Sequence, residues 1–151
     1  MNLEYDNFKH LELLKYSETL KTQNKSLIEE DREFYFKLLD YEIRVYDDIC
    51  WKFKDKLLII ILKFLNNEIS LEDFEYYFYE IWHQAGELDN LLEKDVKKLT
   101  GFKPNPDSEK FGEILDGIMS ECEIVEYDDN EKYNQAWLKK SLENYLLALK
   151  K

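Results

Sequence analysis

The segment LLIIILKFL, residues 57–65, is the most apolar stretch of the chain and the one that decides its fold. It is much shorter than the roughly 20 apolar residues that a helix needs to cross a bilayer. A helix that is apolar on all sides has to be buried, because none of its faces suits water. We therefore expect residues 57–65 to lie at the centre of a helical bundle.

The sequence predicts two helical segments from the N-terminus to the end of this centre. A short helix over residues 7–20 is followed by a polar connection and then by a long helical stretch over residues 27–66. The pattern leaves open whether that stretch breaks near Asp47–Lys52. The apolar positions at helical spacing are Phe8, Leu11, Leu14 and Tyr16 in the short helix, and Phe34, Leu38, Ile43, Tyr46, Ile49 and Phe53 in the long one.

Downstream of the centre, Ser70-Leu71-Glu72-Asp73 has the form of a helix start, with Ser70 as the N-cap and acidic residues in the first turn. The helix is predicted to extend to Leu99 and to stop at Thr100-Gly101. Its buried positions are expected to be Leu71, Phe74, Phe78, Ile81 and Leu88, so that some of Tyr76, Tyr77 and Tyr79 are partly exposed.

A loop containing Pro104 and Pro106 comes next, and Asp107 or Ser108 is expected to cap the helix after it. An acidic connector, Glu121 to Glu131, then leads to a last helix over residues 134–148. The apolar positions are Phe111, Ile114, Leu115, Ile118, Met119 and Cys122 in the first of these helices, and Trp137, Leu138, Leu142, Tyr145, Leu146 and Leu149 in the last.

The scarcity of glycine and proline, four and two in 151 residues, favours long helices over a β fold with many turns. We expect an all-α fold, a single helical domain over residues 1–151 that forms an up-and-down-like bundle of about five or six helices. Residues 1–25 would be an N-terminal helix and connector, and residues 26–151 the core of the bundle.

The net charge of −12 is concentrated in the middle of the chain. Residues 66–131 contain 19 acidic and 5 basic residues, whereas residues 132–151 contain one acidic and five basic. Such a surface repels phosphate backbones and anionic lipids, so we expect neither direct nucleic-acid binding nor membrane binding. The short apolar run at residues 57–65 predicts no membrane insertion either. It attracts basic protein partners. A surface that serves solubility alone is the competing interpretation.

The residues that carry enzyme chemistry are sparse. Glu80 and His83 have the Glu-x-x-His spacing of di-iron bundles, but the second copy that such sites need is missing. Cys50 and Cys122 form no CxxC pair and are expected to be small core residues. No activated nucleophile or glycine-rich phosphate loop is recognisable. We expect no enzyme activity, no cofactor and no metal; a bundle enzyme or metal protein is the least favoured class.

Residues 60–149 resemble the colicin D immunity-type family of small acidic helical proteins. The resemblance rests on NEISLEDF (residues 67–74), an aromatic-rich helix ending near Trp82, the apolar pattern from Phe111 to Ser120, the acidic connector and the final helix. It implies a helical bundle that binds a basic protein partner, a ribonuclease toxin domain, and blocks its RNA site with negative charge.

In this hypothesis acidic side chains take the place of phosphates, and tyrosines take the place of stacked bases. The candidate partner-binding residues are Glu121, Glu123, Glu126, Tyr127, Asp128, Asp129, Tyr76 and Tyr79. The alternative function is a structural or assembly subunit of a bacterial or plastid protein complex, which would depend on apolar and aromatic surface residues instead. The sequence leaves the oligomeric state open.

The expected location is a soluble intracellular one. Two distant cysteines do not resemble a secreted disulfide scaffold, and the polar start Met1–Asp6 has no signal-peptide core. Residue usage rich in Lys, Asn, Ile and Tyr suits an AT-rich genome. We therefore expect the bacterial cytoplasm, with a plastid stroma as the alternative.

Overall fold

The computed structural model describes residues 5–94 and 101–149, without the side chains of residues 93 and 94. All regular structure in these ranges is helical, which confirms the predicted all-α fold. The helices there are α1 (Asn7–Thr22), α2 (Leu27–Glu30), α3 (Arg32–Trp51), α4 (Lys54–Leu65), α5 (Leu71–Lys94), α6 (Phe111–Tyr127) and α7 (Gln135–Leu149), with a 3-10 turn at Pro106–Ser108.

The long helical stretch predicted over residues 27–66 consists of three helices. The first interruption is at Asp31, whose side chain caps α3 by accepting a hydrogen bond from the Phe34 backbone nitrogen at 3.1 Å. The second lies between α3 and α4, where the Phe53 ring is buried. α3 packs against α1, α5 and α6, whereas α4 packs against α5 and α7. The second break therefore allows α3 and α4 to pack their apolar residues against different sets of helices.

α4 is buried along one face rather than all round. Leu57, Ile61 and Phe64 are fully buried, but Ile59 is 54% exposed and Leu62 is 39% exposed. The prediction that every side of residues 57–65 lies in the core is therefore wrong. The central position is correct, because the inward face of α4 belongs to the main hydrophobic cluster, to which α3, α5, α6 and α7 also contribute.

Aromatic rings join α4 to α5 inside this cluster. The Phe64 and Phe74 rings stack with their centroids 4.8 Å apart, and Phe78 stacks on Phe74 at 6.1 Å. Ser70 caps α5 as predicted, since its hydroxyl accepts a hydrogen bond from the Asp73 backbone nitrogen at 3.1 Å. Leu88, which was predicted to be buried, is 42% exposed.

α1 closes a second, smaller cluster against α2 and α3, formed by Leu13, Leu20, Leu27, Leu38 and Tyr41. Phe8 and Tyr16, predicted for the inner side of α1, are 82% and 38% exposed. Ile43, predicted for the inner stripe of α3, is 46% exposed. Those predictions are wrong, because helical spacing identifies a stripe of residues but not which of two neighbouring stripes meets the core.

The start of α6 is held by a side chain of α3. Asp47 accepts hydrogen bonds from the backbone nitrogens of Lys110 at 3.0 Å and Gly112 at 2.8 Å. Its neighbour Asp48 accepts one from the Asn105 nitrogen at 2.9 Å. The first backbone N–H groups of a helix have no partner within it, so a carboxylate there satisfies them. The prediction that Asp107 or Ser108 caps this helix is wrong.

The two C-terminal helices lie close to where periodicity predicts them. α6 extends to Tyr127, so Glu121, Glu123 and Glu126 belong to a helix and not to a connector, which begins at Asp128. The predicted end of α5 at Leu99–Thr100 lies outside the described residues. None of the helices in the described ranges has the length and apolar character needed to span a membrane.

Candidate functional site

α5 and α6 pack against each other. A hydrogen bond joins the two helices on their solvent side. The Tyr79 hydroxyl donates to Glu126 Oε2 at 3.2 Å. The pKa of Tyr79 is raised, first by burial and then by the hydrogen bond to Glu126 and its charge. The phenol is therefore protonated at physiological pH and serves as a donor that fixes the direction of the Glu126 carboxylate.

Further carboxylates lie at the same junction. The pKa of Glu75, one turn before Tyr79, is raised by burial first and then by the charges of Glu126 and Glu72. Like charges close together disfavour ionisation of one another, so the contributions of Glu126 and Glu72 indicate that these carboxylates lie near Glu75. Glu72, Glu75 and Glu126 thus form one local concentration of negative charge.

Cys122 lies in the core beneath this concentration. Its side chain is fully buried, and burial raises the pKa of the thiol to about 12. The charges of Glu75, Glu121, Glu126 and Glu123 add to this effect. Four carboxylates from two helices therefore lie close enough to Cys122 to disfavour another negative charge.

Tyr127 extends the surface beyond the last turns of α6. Its ring is 75% exposed, and the charge of Glu126 is the main reason that the pKa of its phenol is raised. A shallow depression of about 470 Å³ beside it is lined by Ser120, Glu123, Ile124, Tyr127 and Asp128. We define the acidic face as Glu72, Glu75, Tyr79, Glu123, Glu126 and Tyr127.

The structure brings four of the predicted partner-binding residues into this face, namely Tyr79, Glu123, Glu126 and Tyr127. Glu121 lies on another side of α6, where its Oε1 accepts a hydrogen bond from the Tyr145 hydroxyl of α7 at 3.3 Å. Glu121 Oε2 is buried and has no hydrogen-bond partner among the described residues. Glu121 therefore lies apart from Glu123 and Glu126, and its role in partner binding stays a prediction.

The remaining predicted residues border the face. Tyr76 is 60% exposed and pairs with Glu80 on the outer side of α5, which raises the pKa of its phenol. Asp128 and Asp129 are exposed after the end of α6, and the Asp128 side chain accepts a hydrogen bond from the Asn130 nitrogen at 2.8 Å. These side chains extend the negative surface without contacting its centre.

Two residues of the acidic face were missed from the sequence. Glu72 was interpreted as a helix-start residue alone, and Glu75 was not singled out. Together with Tyr79 they have the spacing i, i+3 and i+7, which places three side chains on one helix face. That spacing was the signal available in the sequence.

Ion pairs in the described part of the chain lie away from this face. Lys9 pairs with Glu12 and Lys21 with Glu18 in α1, and Lys52 pairs with Asp48 in α3. None of these pairs involves the acidic face. Its carboxylates are available as acceptors for cationic groups from outside, such as lysine ammonium and arginine guanidinium groups.

The described residues contain no group of three or more His, Cys, Asp and Glu side chains that could hold a metal ion. His83, which shares a helix face with Glu80, is exposed. Cys50 and Cys122 are buried free thiols, as predicted, and burial is the main reason that both have pKa values of about 12. Neither thiol is a nucleophile near neutral pH, because the thiolate is the reactive form.

The chain matches no protein-family model, no curated protein and no solved structure.

Proposed function

We propose that this chain is a non-catalytic binding protein whose acidic face binds a basic protein partner. The partner class that fits best is a nuclease toxin domain, whose cationic RNA site the acidic face would occlude. The observation that carries the proposal is the hydrogen bond of Tyr79 to Glu126 across α5 and α6, which places Glu126 near Glu75 and beside exposed Tyr127. The resemblance of residues 60–149 to colicin D immunity-type proteins supports the same partner class.

The acidic face suits a cationic partner for an electrostatic reason. Burial raises the pKa of Glu75, and repulsion by the nearby Glu126 carboxylate raises it further. A lysine or arginine placed between them would remove that repulsion and would be attracted by both carboxylates. Close charge pairs across protein interfaces couple by roughly 1.5–7 kcal/mol, so a few such pairs are sufficient for specific binding.

The tyrosines provide the apolar part of the interface. Exposed aromatic side chains are frequent anchors of protein interfaces, because they bury a large area and still form a hydrogen bond. Tyr127 stands beside the acidic side chains with most of its ring in solvent. In a nuclease site built to stack bases and bind phosphates, a phenol flanked by carboxylates resembles one nucleotide unit.

The experiment is an RNA-cleavage assay with a basic ribonuclease domain of the colicin D type, with and without this chain. The test variant is Glu123→Lys with Glu126→Lys, because both side chains are exposed. Glu121 is left unchanged, since its partly buried carboxylate accepts a bond from Tyr145. We expect the native chain to inhibit cleavage and the variant to lose at least about 2 kcal/mol of binding free energy.

The matched control is Glu29→Lys with Glu30→Lys. These exposed residues lie on α2, whose main packing in the described residues is against α1 and α3. The control changes the net charge by the same amount, so inhibition should persist if position matters more than total charge. Equal inhibition by the native chain and the Glu123/Glu126 variant, with both folded by circular dichroism, would exclude the acidic face.

An assembly subunit remains the second candidate function, and one observation favours it. A groove of about 220 Å³ between α4 and α5 is lined by Ile59, Ile60, Tyr77 and Ile81, among others. Ile59 and Tyr77 are 54% and 45% exposed. Contiguous apolar side chains at the surface are typical of protein contacts.

A salt titration of partner association distinguishes the two functions. Binding through the acidic face should lose at least about tenfold in association rate between low and high ionic strength, because salt screens exposed charges. Association through the α4–α5 groove should change little with salt and should weaken in Ile59→Lys. Pull-downs at both ionic strengths with these variants assign the surface that is used.

A further inference from the structure

A cleft of about 820 Å³ lies between the start of α1, the middle of α3 and residues 101–103. It shares no residue with the acidic face. We propose that this cleft binds a small organic anion that carries an aromatic ring. The proposal rests on three observations: the walls are aromatic, lysines from three separate segments line the cleft, and hydrogen bonds hold the walls in place.

The walls of the cleft are aromatic. Tyr5, Phe8, Tyr41 and Phe102 line it. The Tyr5 ring meets the Tyr41 ring edge to face at 5.4 Å and the Phe102 ring at 5.6 Å between centroids. Phe8 is 82% exposed. Small-molecule sites have volumes of roughly 300–1,000 Å³ and mainly apolar and aromatic walls, so the cleft has the size and lining for one ring-bearing ligand.

The charged side chains in the lining are mainly cationic. Among the described residues that line the cleft, Lys9 comes from α1, Lys37 from α3 and Lys103 from the segment before α6, and Asp6 is the one acidic side chain. The Asp6 carboxylate caps α1 by accepting a hydrogen bond from the Lys9 nitrogen at 3.2 Å. In a chain with a net charge of −12, this local excess of positive charge selects an anion.

The three lysines that line the cleft differ in how far they interact with other parts of the protein. The Lys9 ammonium lies 3.7 Å from Glu12 and 5.2 Å from the centre of the Phe34 ring, so part of its interaction is internal. Lys37 and Lys103 come from separate parts of the chain, Lys37 from α3 and Lys103 from the segment after Gly101. They are therefore the side chains whose charge a ligand would use most.

Hydrogen bonds to neighbouring residues hold the walls of the cleft in place. The Tyr5 hydroxyl and His10 Nδ1 are hydrogen-bonded at 2.8 Å, and His10 is 1% exposed. Asn7 Oδ1 accepts a hydrogen bond from the Gly101 nitrogen at 3.4 Å, which ties α1 to the opposite wall. A site whose walls are held before binding loses less conformational freedom when the ligand enters.

The negative charge of the rest of the protein favours a small ligand over an extended anionic one. At physiological ionic strength an interaction between exposed charges is screened over roughly 8 Å. A small anion inside the cleft is therefore governed by the local lysines. A nucleic-acid strand or an anionic membrane would extend beyond the cleft over a protein with a net charge of −12 and be repelled, so the chemistry of the cleft favours a small molecule.

The test uses two probes with related ring systems and the full chain. 8-Anilinonaphthalene-1-sulfonate carries one negative charge, and N-phenyl-1-naphthylamine has the same rings without the sulfonate. We expect the anionic probe to saturate one site, with amide chemical-shift changes centred on residues 5–11, 37–41 and 101–103. Lys37→Glu with Lys103→Glu should weaken the anionic probe by about tenfold or more and change the neutral probe by less than about twofold.

The matched control is Lys25→Glu with Lys140→Glu, which reverses two exposed lysines outside the cleft. Binding of the anionic probe to this control should stay within about twofold of the native value. Urea midpoints of both variants verify that each is folded. Equal weakening by both double variants, or shifts centred on the α4–α5 groove, would overturn the proposal.

Discussion

The Asp47 carboxylate lies 2.8 Å from the backbone nitrogen of Gly112 and occupies the space where a side chain at that position would begin. A Cβ atom on Gly112 would lie 2.7 Å from Asp47 Oδ1 and 2.7 Å from the Tyr46 ring. Both neighbours are partly or fully buried, so neither can move freely. The close approach of α3 and α6 therefore requires glycine at position 112.

Gly112→Ala should destabilise the protein by about 2–3 kcal/mol, because it displaces a buried capping carboxylate and overpacks the α3–α6 contact. Gly86→Ala is the matched control. A Cβ at Gly86, inside α5, meets nothing within 4 Å, so alanine should stabilise the helix by about 0.5–1 kcal/mol. Urea unfolding of both variants checks the opposite signs; two effects of the same sign would contradict the packing described for position 112.

Gly117 and Tyr145 should be energetically coupled. A Cβ on Gly117 would lie 2.5 Å from the Tyr145 hydroxyl, which donates to Glu121. Gly117→Ala should therefore cost about 1–3 kcal/mol by removing the donor from a partly buried carboxylate. In a Tyr145→Phe background the same substitution should cost about 1 kcal/mol less. A double-mutant cycle by urea unfolding measures this coupling, and strict additivity would refute it.

His10 should make stability depend on pH. Its side chain is 1% exposed, and burial lowers its pKa from 6.5 to about 4. The unfolded chain takes up a proton as the pH falls through 6.5, whereas the folded chain does so near 4. The stability that neutral His10 contributes is therefore complete above pH 6.5 and is lost as the pH falls towards 4, up to about 2 kcal/mol by pH 4.5.

The substitution His10→Phe tests this linkage, since a phenyl ring suits the aromatic site and takes up no proton. Between pH 7 and 4.5 the native chain should lose more free energy of unfolding than the variant, by up to about 2 kcal/mol. Carboxylate titration affects both chains and cancels in the difference. His83→Gln, at an exposed position, should show no such difference from the native chain. A parallel pH dependence of the native chain and His10→Phe would rule out the linkage.

The two thiols should be unreactive in the folded protein. Cys50 and Cys122 are fully buried, with pKa values raised to about 12. At pH 8 a disulfide reagent such as DTNB should label neither thiol within minutes, and both should react at once in urea. Ser120→Cys, at an exposed position of α6, provides the reactive control. Rapid labelling of either native cysteine would show that the core opens around it.

Periodicity and capping chemistry were sufficient to predict most helix positions. Ser70 at the start of α5 and the apolar repeat of α6 are local signals, and both are confirmed. The burial pattern of α4 could not be predicted, because Ile59 and Ile60 are the same residue type and differ in what packs against them. The cap of α6 could not be predicted either, since Asp47 is 65 residues away from Gly112.

The acidic face was predicted in part. Residues 121–131 were assigned to a connector, so the directions of their side chains around a helix were not considered. In a helix of 3.6 residues per turn, positions 121 and 126 are about 140° apart. Had the helix been extended to Tyr127, Glu121 would have been placed on another side from Glu126. The pairing of Tyr79 with Glu126 depends on α5 and α6 being neighbours, which a single sequence does not reveal.

Asp47 and Asp48 are both buried, and each accepts its hydrogen bonds from backbone groups between residues 105 and 112. A chain emerging from the ribosome would form α3 well before those donors are synthesised. Until they arrive, burying Asp47 and Asp48 would leave both carboxylates without these backbone donors, and a buried carboxylate that lacks its hydrogen bonds costs free energy. We therefore expect the final packing of α3 to form only after α6 and the segment before it have been synthesised.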